Sequence, residues 1–139
     1  MGGFEPVHVE HEWYDGPRAG IADVDRVPHY FRAVEPIAPD ELPERFHVWP
    51  ADDQVLAWER EQWLIHVRWN DRYEAGTAGV DTHPGHRGTD PRYDELDDLL
   101  EPHRIPPPDA RVLRAEWEIT DRDQRYADDG PNSVVRWHA

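Results

Sequence analysis

The sequence predicts an α+β domain, an antiparallel sheet of about five short strands with two helices packed on one face. Segments that alternate with period two stand towards both ends of the chain, while the segments with helical period stand together in its middle. Proline punctuates the chain at 14 positions and cuts it into short elements. A length of 139 residues suits one core, since domains most often run to about 100–150 residues. A single domain over 1–139 is therefore expected, with residues 1–13 as a flexible N-terminal segment.

Gly20–Val24 and Val27–Val34 read as strands joined by a tight Asp25-Arg26 turn. Pro28 argues for an edge position or for a strand that begins just after it. Arg45–Trp49 is a third strand, with Phe46 and Val48 on one face. Pro50 opens the longest periodic segment, in which Asp52 and Asp53 suit a first helical turn and Gly76 is the stop. Leu56, Trp63 and Val67 share one face of that helix, flanked by Val55, Leu64 and Tyr73. Trp58, Ile65 and Trp69 form a second stripe almost opposite, as in a helix buried between two layers or in a partner. The piece "WLIHVRW" also alternates like a strand, but the length of the whole pattern favours helix.

Thr89 or Asp90 followed by Pro91 starts a second helix, whose stripe is Tyr93, Leu96, Leu99 and Leu100. That stripe is expected to cover Trp58, Ile65 and Trp69. The final pair of strands places Leu113, Ala115, Trp117 and Ile119 on one face and Val135 with Trp137 on the other strand.

Several blocks together resemble, in order, an uncharacterised family of small bacterial proteins. They are "YDGPRAGIADVDRVPHYF" (Tyr14–Phe31), the tryptophan-rich helix Trp58–Tyr73, "DTHP" (Asp81–Pro84) followed by "RYDELDDLL", and the "AEW…VVRW" ending. The blocks span most of the chain. The family tends to carry a glycine in the first hairpin turn, where this chain has "DR", and a longer aliphatic stretch after "THP", where it has "GHRG". The resemblance implies a compact fold and brings no activity with it.

Thirty acidic residues stand against 15 basic ones, all of them Arg, for a formal charge of −15. Direct nucleic-acid binding needs a positive footprint, so it is not expected. The acidity suits a solvated or salt-adapted surface, an acidic face for a basic protein, or mimicry of nucleic acid by an inhibitor. With no Cys, disulfides, thiolate zinc sites and cysteine nucleophiles are excluded. No apolar run approaches the roughly 20 residues that span a bilayer. The first residues lack the basic and apolar regions of a signal peptide, so a cytoplasmic protein without membrane contact is expected.

The stretch "DTHPGHRGTDP" carries the densest chemistry. His83 and His86, with Asp81 or Asp90, offer imidazole and carboxylate ligands for a divalent metal. Pro84 and Gly85 deny that pair a helical scaffold, and the competing reading is a connector in which Thr89 or Asp90 caps the next helix. In "YDGPRAG", Asp15-Gly16-Pro17 is a turn and Arg18 can grip an anion in a bidentate fork. His29, on the second strand, is a structural hydrogen-bonding residue or a ligand. Trp58 and Trp69 exceed what one core face needs.

These features favour a small acidic binding or interaction domain without catalysis, monomeric or weakly dimeric, for a small molecule or a protein and without a cofactor. Arg18, His29, Trp58 and Trp69 are its candidate binding residues. The alternative is a small metal-assisted enzyme built on Asp81, His83 and His86 with His29. A further alternative is the acidic inhibitor.

Overall fold

A computed structural model describes residues 2–13, 16–35, 37, 42–120 and 125–139. Its strands are β1 (Glu5–Trp13), β2 (Pro17–Val24), β3 (Val27–Ala33), β4 (Arg45–Pro50), β5 (Arg111–Ile119), β6 (Tyr126–Ala127), β7 (Gly130–Pro131) and β8 (Ser133–His138). Helices α1 (Asp53–Glu74) and α2 (Pro91–Leu100) lie between β4 and β5. Six strands close into an antiparallel barrel in the order β1-β2-β3-β4-β5-β8, and β6-β7 form a separate small hairpin.

The closed barrel corrects the expected open α+β sheet. The element that changes the architecture is β1, whose residues fall in the segment expected to be mobile. It pairs with β2 along one side and with β8 along the other, so neither edge of the sheet stays open. Its alternation is hidden by irregular register. Val7 and Val9 face Ala22 and Ile21, so His8 is an extra residue; Glu10 and Glu12 face Gly20 and Ala19, so His11 is another. Each such bulge bends and twists a strand, as closure requires.

Gly20 lies where β1 crosses most closely. A Cβ there would stand 2.3 Å from the Val9 carbonyl oxygen and 2.9 Å from both Glu10 Cα and Phe31 Cζ. Gly20→Ala is expected to cost about 1–3 kcal/mol, the usual range for overpacking. Urea unfolding checks it, and an unchanged midpoint would contradict the close approach.

The β2–β3 connection is the Asp25-Arg26 turn, with both residues at positive φ (51° and 68°), as a type I′ hairpin requires. Glycine or asparagine would suit it better. The Glu5 carboxylate accepts both backbone N–H groups, at 3.1 Å from Asp25 and 2.6 Å from Arg26, and so supports the turn from β1.

Strand alternation sorts the apolar residues into two cores. Inside the barrel, Ala22, Phe31, Phe46, Val48, Leu113, Val135 and Trp137 form one buried cluster, with Trp117 packed on it. Rings of Phe31, Phe46, Trp117 and Trp137 meet tilted or edge-on at centroid distances of 5.2–6.3 Å. The interior is therefore a packed core, as in other narrow barrels. On the outer wall, Val9, Ile21, Tyr30 and Trp49 pack under Val55, Trp63 and Val67 of α1 and Leu96 and Leu100 of α2.

α2 starts where the sequence predicts, whereas α1 starts at Asp53, with Asp52 as its cap and Pro50 still in β4. Asp52 accepts the Val55 N–H at 2.9 Å and Asp90 accepts the Tyr93 N–H at 3.0 Å. Gly76, at φ 76°, follows the end of α1. The expected cover of the second stripe of α1 by α2 is met in part, since α2 contributes Leu96 and Leu100 to the core on which two of its residues pack. Trp58 and Ile65 pack against the outer core, and Trp69 is buried beside the 3-10 turn Val80–Thr82, its indole N–H bonded to Thr82 Oγ1 at 2.9 Å. Among the described residues no helix is long and apolar enough to cross a membrane.

Candidate functional site

On α1 the row Val55, Glu59, Trp63, Val67 repeats every fourth residue, which stacks them on one face. Three of the four are apolar core residues, and the other is a carboxylate with 1 % exposure. Burial of an unpaired charge is prohibitive, so Glu59 must be paired. Tyr30 donates its hydroxyl to Oε2 at 2.7 Å, and His11 donates Nε2–H to Oε1 at 2.9 Å. Arg104 donates to both oxygens, from Nε at 3.0 Å and from Nη2 at 2.7 Å, in the bidentate geometry that guanidinium allows.

The network extends outwards. Arg104 also donates to Gln62 Oε1 (2.6 Å) and Asp97 Oδ1 (3.1 Å), and Gln62 Nε2 donates to Asp97 (2.7 Å) and to the Tyr93 carbonyl (3.2 Å). It ties β1, β3, α1, α2 and the turn Glu101–Arg104 together. Burial pushes the Glu59 carboxyl up, but His11 and Arg104 outweigh it and hold the pKa at about 2. Burial, reinforced by the Glu59 charge, pushes the Tyr30 hydroxyl well above its ordinary value.

Beside this network a cavity of about 300 Å³ opens between the outer wall of the barrel and the helical layer. Val9, Glu10 and His11 of β1 form one wall, and Glu59, Gln62, Trp63 and His66 of α1 form another. His83, Tyr93, Arg104 and Tyr126 complete it. The His11 bulge lets adjacent residues of β1 serve this wall despite strand alternation.

Several polar atoms here have capacity to spare. Glu10 pairs through Oε1 with Arg125, while its Oε2 is buried without a partner among the described residues. Burial pushes the Glu10 carboxyl up against the lowering effect of Arg125. His66 makes ring contacts with Trp63, Tyr126 and His83, at centroid distances of 6.1, 5.0 and 5.4 Å. Burial first, then His83 and Arg125, hold its pKa at about 4, so the ring is neutral near pH 7. His83 accepts the Gly85 N–H on Nδ1 at 2.9 Å, which places the proton of the neutral ring on Nε2. Burial and then His86 lower its pKa too.

Of the binding and metal candidates read from sequence, only His83 lines this cavity; Trp63 and Tyr93, read as core, line it too. Trp69 stands behind His83, ring edge against ring at 4.6 Å. His86 is exposed at 5.8 Å from His83, and Asp81 is exposed in the 3-10 turn. Among the described residues no group of three His, Asp or Glu is arranged to hold a metal ion. The loop does cap α2, through Asp90. His29 is buried and donates Nδ1–H to the Val27 carbonyl at 2.7 Å, a structural bond. Arg18 lies on β2, at a separate depression with Glu12, Arg32 and Glu35, and Trp58 packs in the outer core. The Tyr14-Asp15 part of the predicted turn lies outside the described residues.

The imidazole and carboxylate groups of His8–Trp13, Glu10 and His11 among them, read as mobile N-terminal chain but stand on β1, and sequence reasoning passed over Glu59, Gln62, His66, Arg104 and Tyr126. The available signal was Glu59 itself, a charge in the middle of an apolar row. No family model, curated protein or solved structure matches the chain.

Proposed function

We propose that the protein is a small-molecule-binding barrel whose ligand occupies the cavity between β1 and the helices. The observation that carries this reading is the unspent hydrogen-bonding capacity on aromatic walls. Both nitrogens of His66 and the hydroxyls of Tyr93 and Tyr126 have no hydrogen-bond partner among the described residues, Glu10 Oε2 is buried without one, and all four residues line the cavity. A volume of about 300 Å³ lies at the small end of ligand pockets, which span about 300–1,000 Å³. The Glu59 network supports binding rather than catalysis, because its donors already occupy both carboxylate oxygens.

A fragment screen read by the Trp63 indole N–H resonance tests this. That N–H donates to the Ala127 carbonyl at 2.6 Å and belongs to a cavity residue. Small aromatic fragments are expected to shift it in the wild type and not in His66→Trp, where the larger ring fills the space. Fragments that still shift it in a folded His66→Trp variant, or whose shifts map away from the cavity, would refute the reading.

A further inference from the structure

We infer that the ligand is a planar nitrogen heterocycle with N–H donors and no phosphate, of the aminopurine or pterin type. This rests on the binding reading above and names its ligand class. Shape supplies the first constraint. Trp63, His66, Tyr93, His83 and Tyr126 bring rings to the cavity, and Trp63 and Tyr126 meet edge-on at 5.6 Å. Flat π-faces suit a flat, aromatic guest, whose stacking contributes without demanding one sequence of polar contacts.

Polarity supplies the second. Glu10 lines the β1 wall, and its Oε2, buried without a partner among the described residues, calls for an N–H or O–H donor. Opposite chemistry comes from the loop, where the neutral His83 ring carries its proton on Nε2. Such a set suits a ring with N–H or amino donors on one edge and a lone-pair nitrogen or carbonyl on another.

Charge supplies the third. Arg104 is committed to Glu59, Gln62 and Asp97, while Arg125 is paired with Glu10 and lies 4.8 Å over the Tyr126 ring. The two carboxylates therefore already face two guanidiniums. A phosphate would have to strip one of these pairs, and a free ammonium would have to displace Arg125. An uncharged heterocycle does neither.

Titration of the full chain with 2-aminopurine, followed by the probe's own emission, tests the inference, with guanosine, guanosine 5′-monophosphate and 2-naphthoate as competitors. Saturable quenching of 2-aminopurine is expected, together with displacement by guanosine. The monophosphate should bind no tighter than guanosine, and 2-naphthoate should bind at least tenfold more weakly than 2-aminopurine. Glu10→Gln should weaken 2-aminopurine about tenfold, as loss of a bond to a charged group does, while Glu116→Gln, on the exposed face of β5, should leave it unchanged. If Glu10→Gln fails to fold, the wild-type panel decides alone. A monophosphate tenfold tighter than guanosine, or 2-naphthoate equal to 2-aminopurine, overturns the class. If no member of the panel binds while fragments still shift Trp63, the ligand class falls and the binding site stands. If fragments fail as well, both fall.

Discussion

Replacing Glu59 with alanine is expected to cost the fold about 3–5 kcal/mol, the usual loss when one partner of a buried ion pair is removed. Truncation would leave Arg104, His11 and the Tyr30 hydroxyl without their common acceptor. The loss therefore comes mainly from the orphaned partners. It follows that Glu59→Leu combined with Arg104→Met should be much milder than Glu59→Ala alone, since both charges leave together. Urea midpoints for the two variants decide the matter. A Glu59→Ala midpoint within experimental error of the wild type would contradict the network.

That residue also shows where the sequence was legible and where it was not. Signals confined to a few neighbouring residues read correctly: the Asp25-Arg26 hairpin, the Asp90 cap, and the alternation of Val135 and Trp137. Each depends on local backbone chemistry. Closure of the barrel depends instead on β1, whose two histidine bulges break the period-two pattern that identifies a strand. Glu59 was hidden for another reason. Among 30 acidic residues one more glutamate carries no information until its neighbours at the fourth position are seen to be Val55 and Trp63. Arg104 is separated from it by 45 positions, and nothing in its local sequence marks it as the partner.

Acid is expected to destabilise the protein in two overlapping stages. His66 has its pKa lowered from 6.5 to about 4 in the fold. Below pH 6.5 the unfolded chain takes up a proton there that the folded chain refuses, so stability falls as pH drops from 6.5 towards 4. His83, lowered in the same direction, adds to this stage. Glu59, lowered from 4.5 to about 2, contributes stability that is present above 4.5 and lost as pH falls towards 2. Its share is on the order of 3 kcal/mol. Glu10, pushed upward by burial, works the other way and softens the decline.

Urea midpoints measured between pH 8 and pH 3 should show the decline. His66→Gln should flatten its upper part and Glu59→Gln its lower part. A wild-type midpoint that stays level from pH 6.5 to pH 4 would contradict the neutral, buried state of His66.

The barrel is closed unevenly. β5 and β8 are paired from Arg114↔His138 to Ile119↔Ser133, whereas β1 meets β8 only through Glu5↔Val135 and Pro6↔Val134. Proline has no N–H to give, so this ladder is thin as well as short. It also joins segments from opposite ends of the described chain, which makes it the contact of highest entropic cost during folding. Hairpins β2–β3 and β3–β4 can zip early and locally, while the β1–β8 ladder must wait until the rest is standing. By the same reasoning it is the first line to part when the native state fluctuates. Such parting releases one end of the strand that bears Glu10 and His11, so the slowest step of assembly and the easiest route of opening share a single seam.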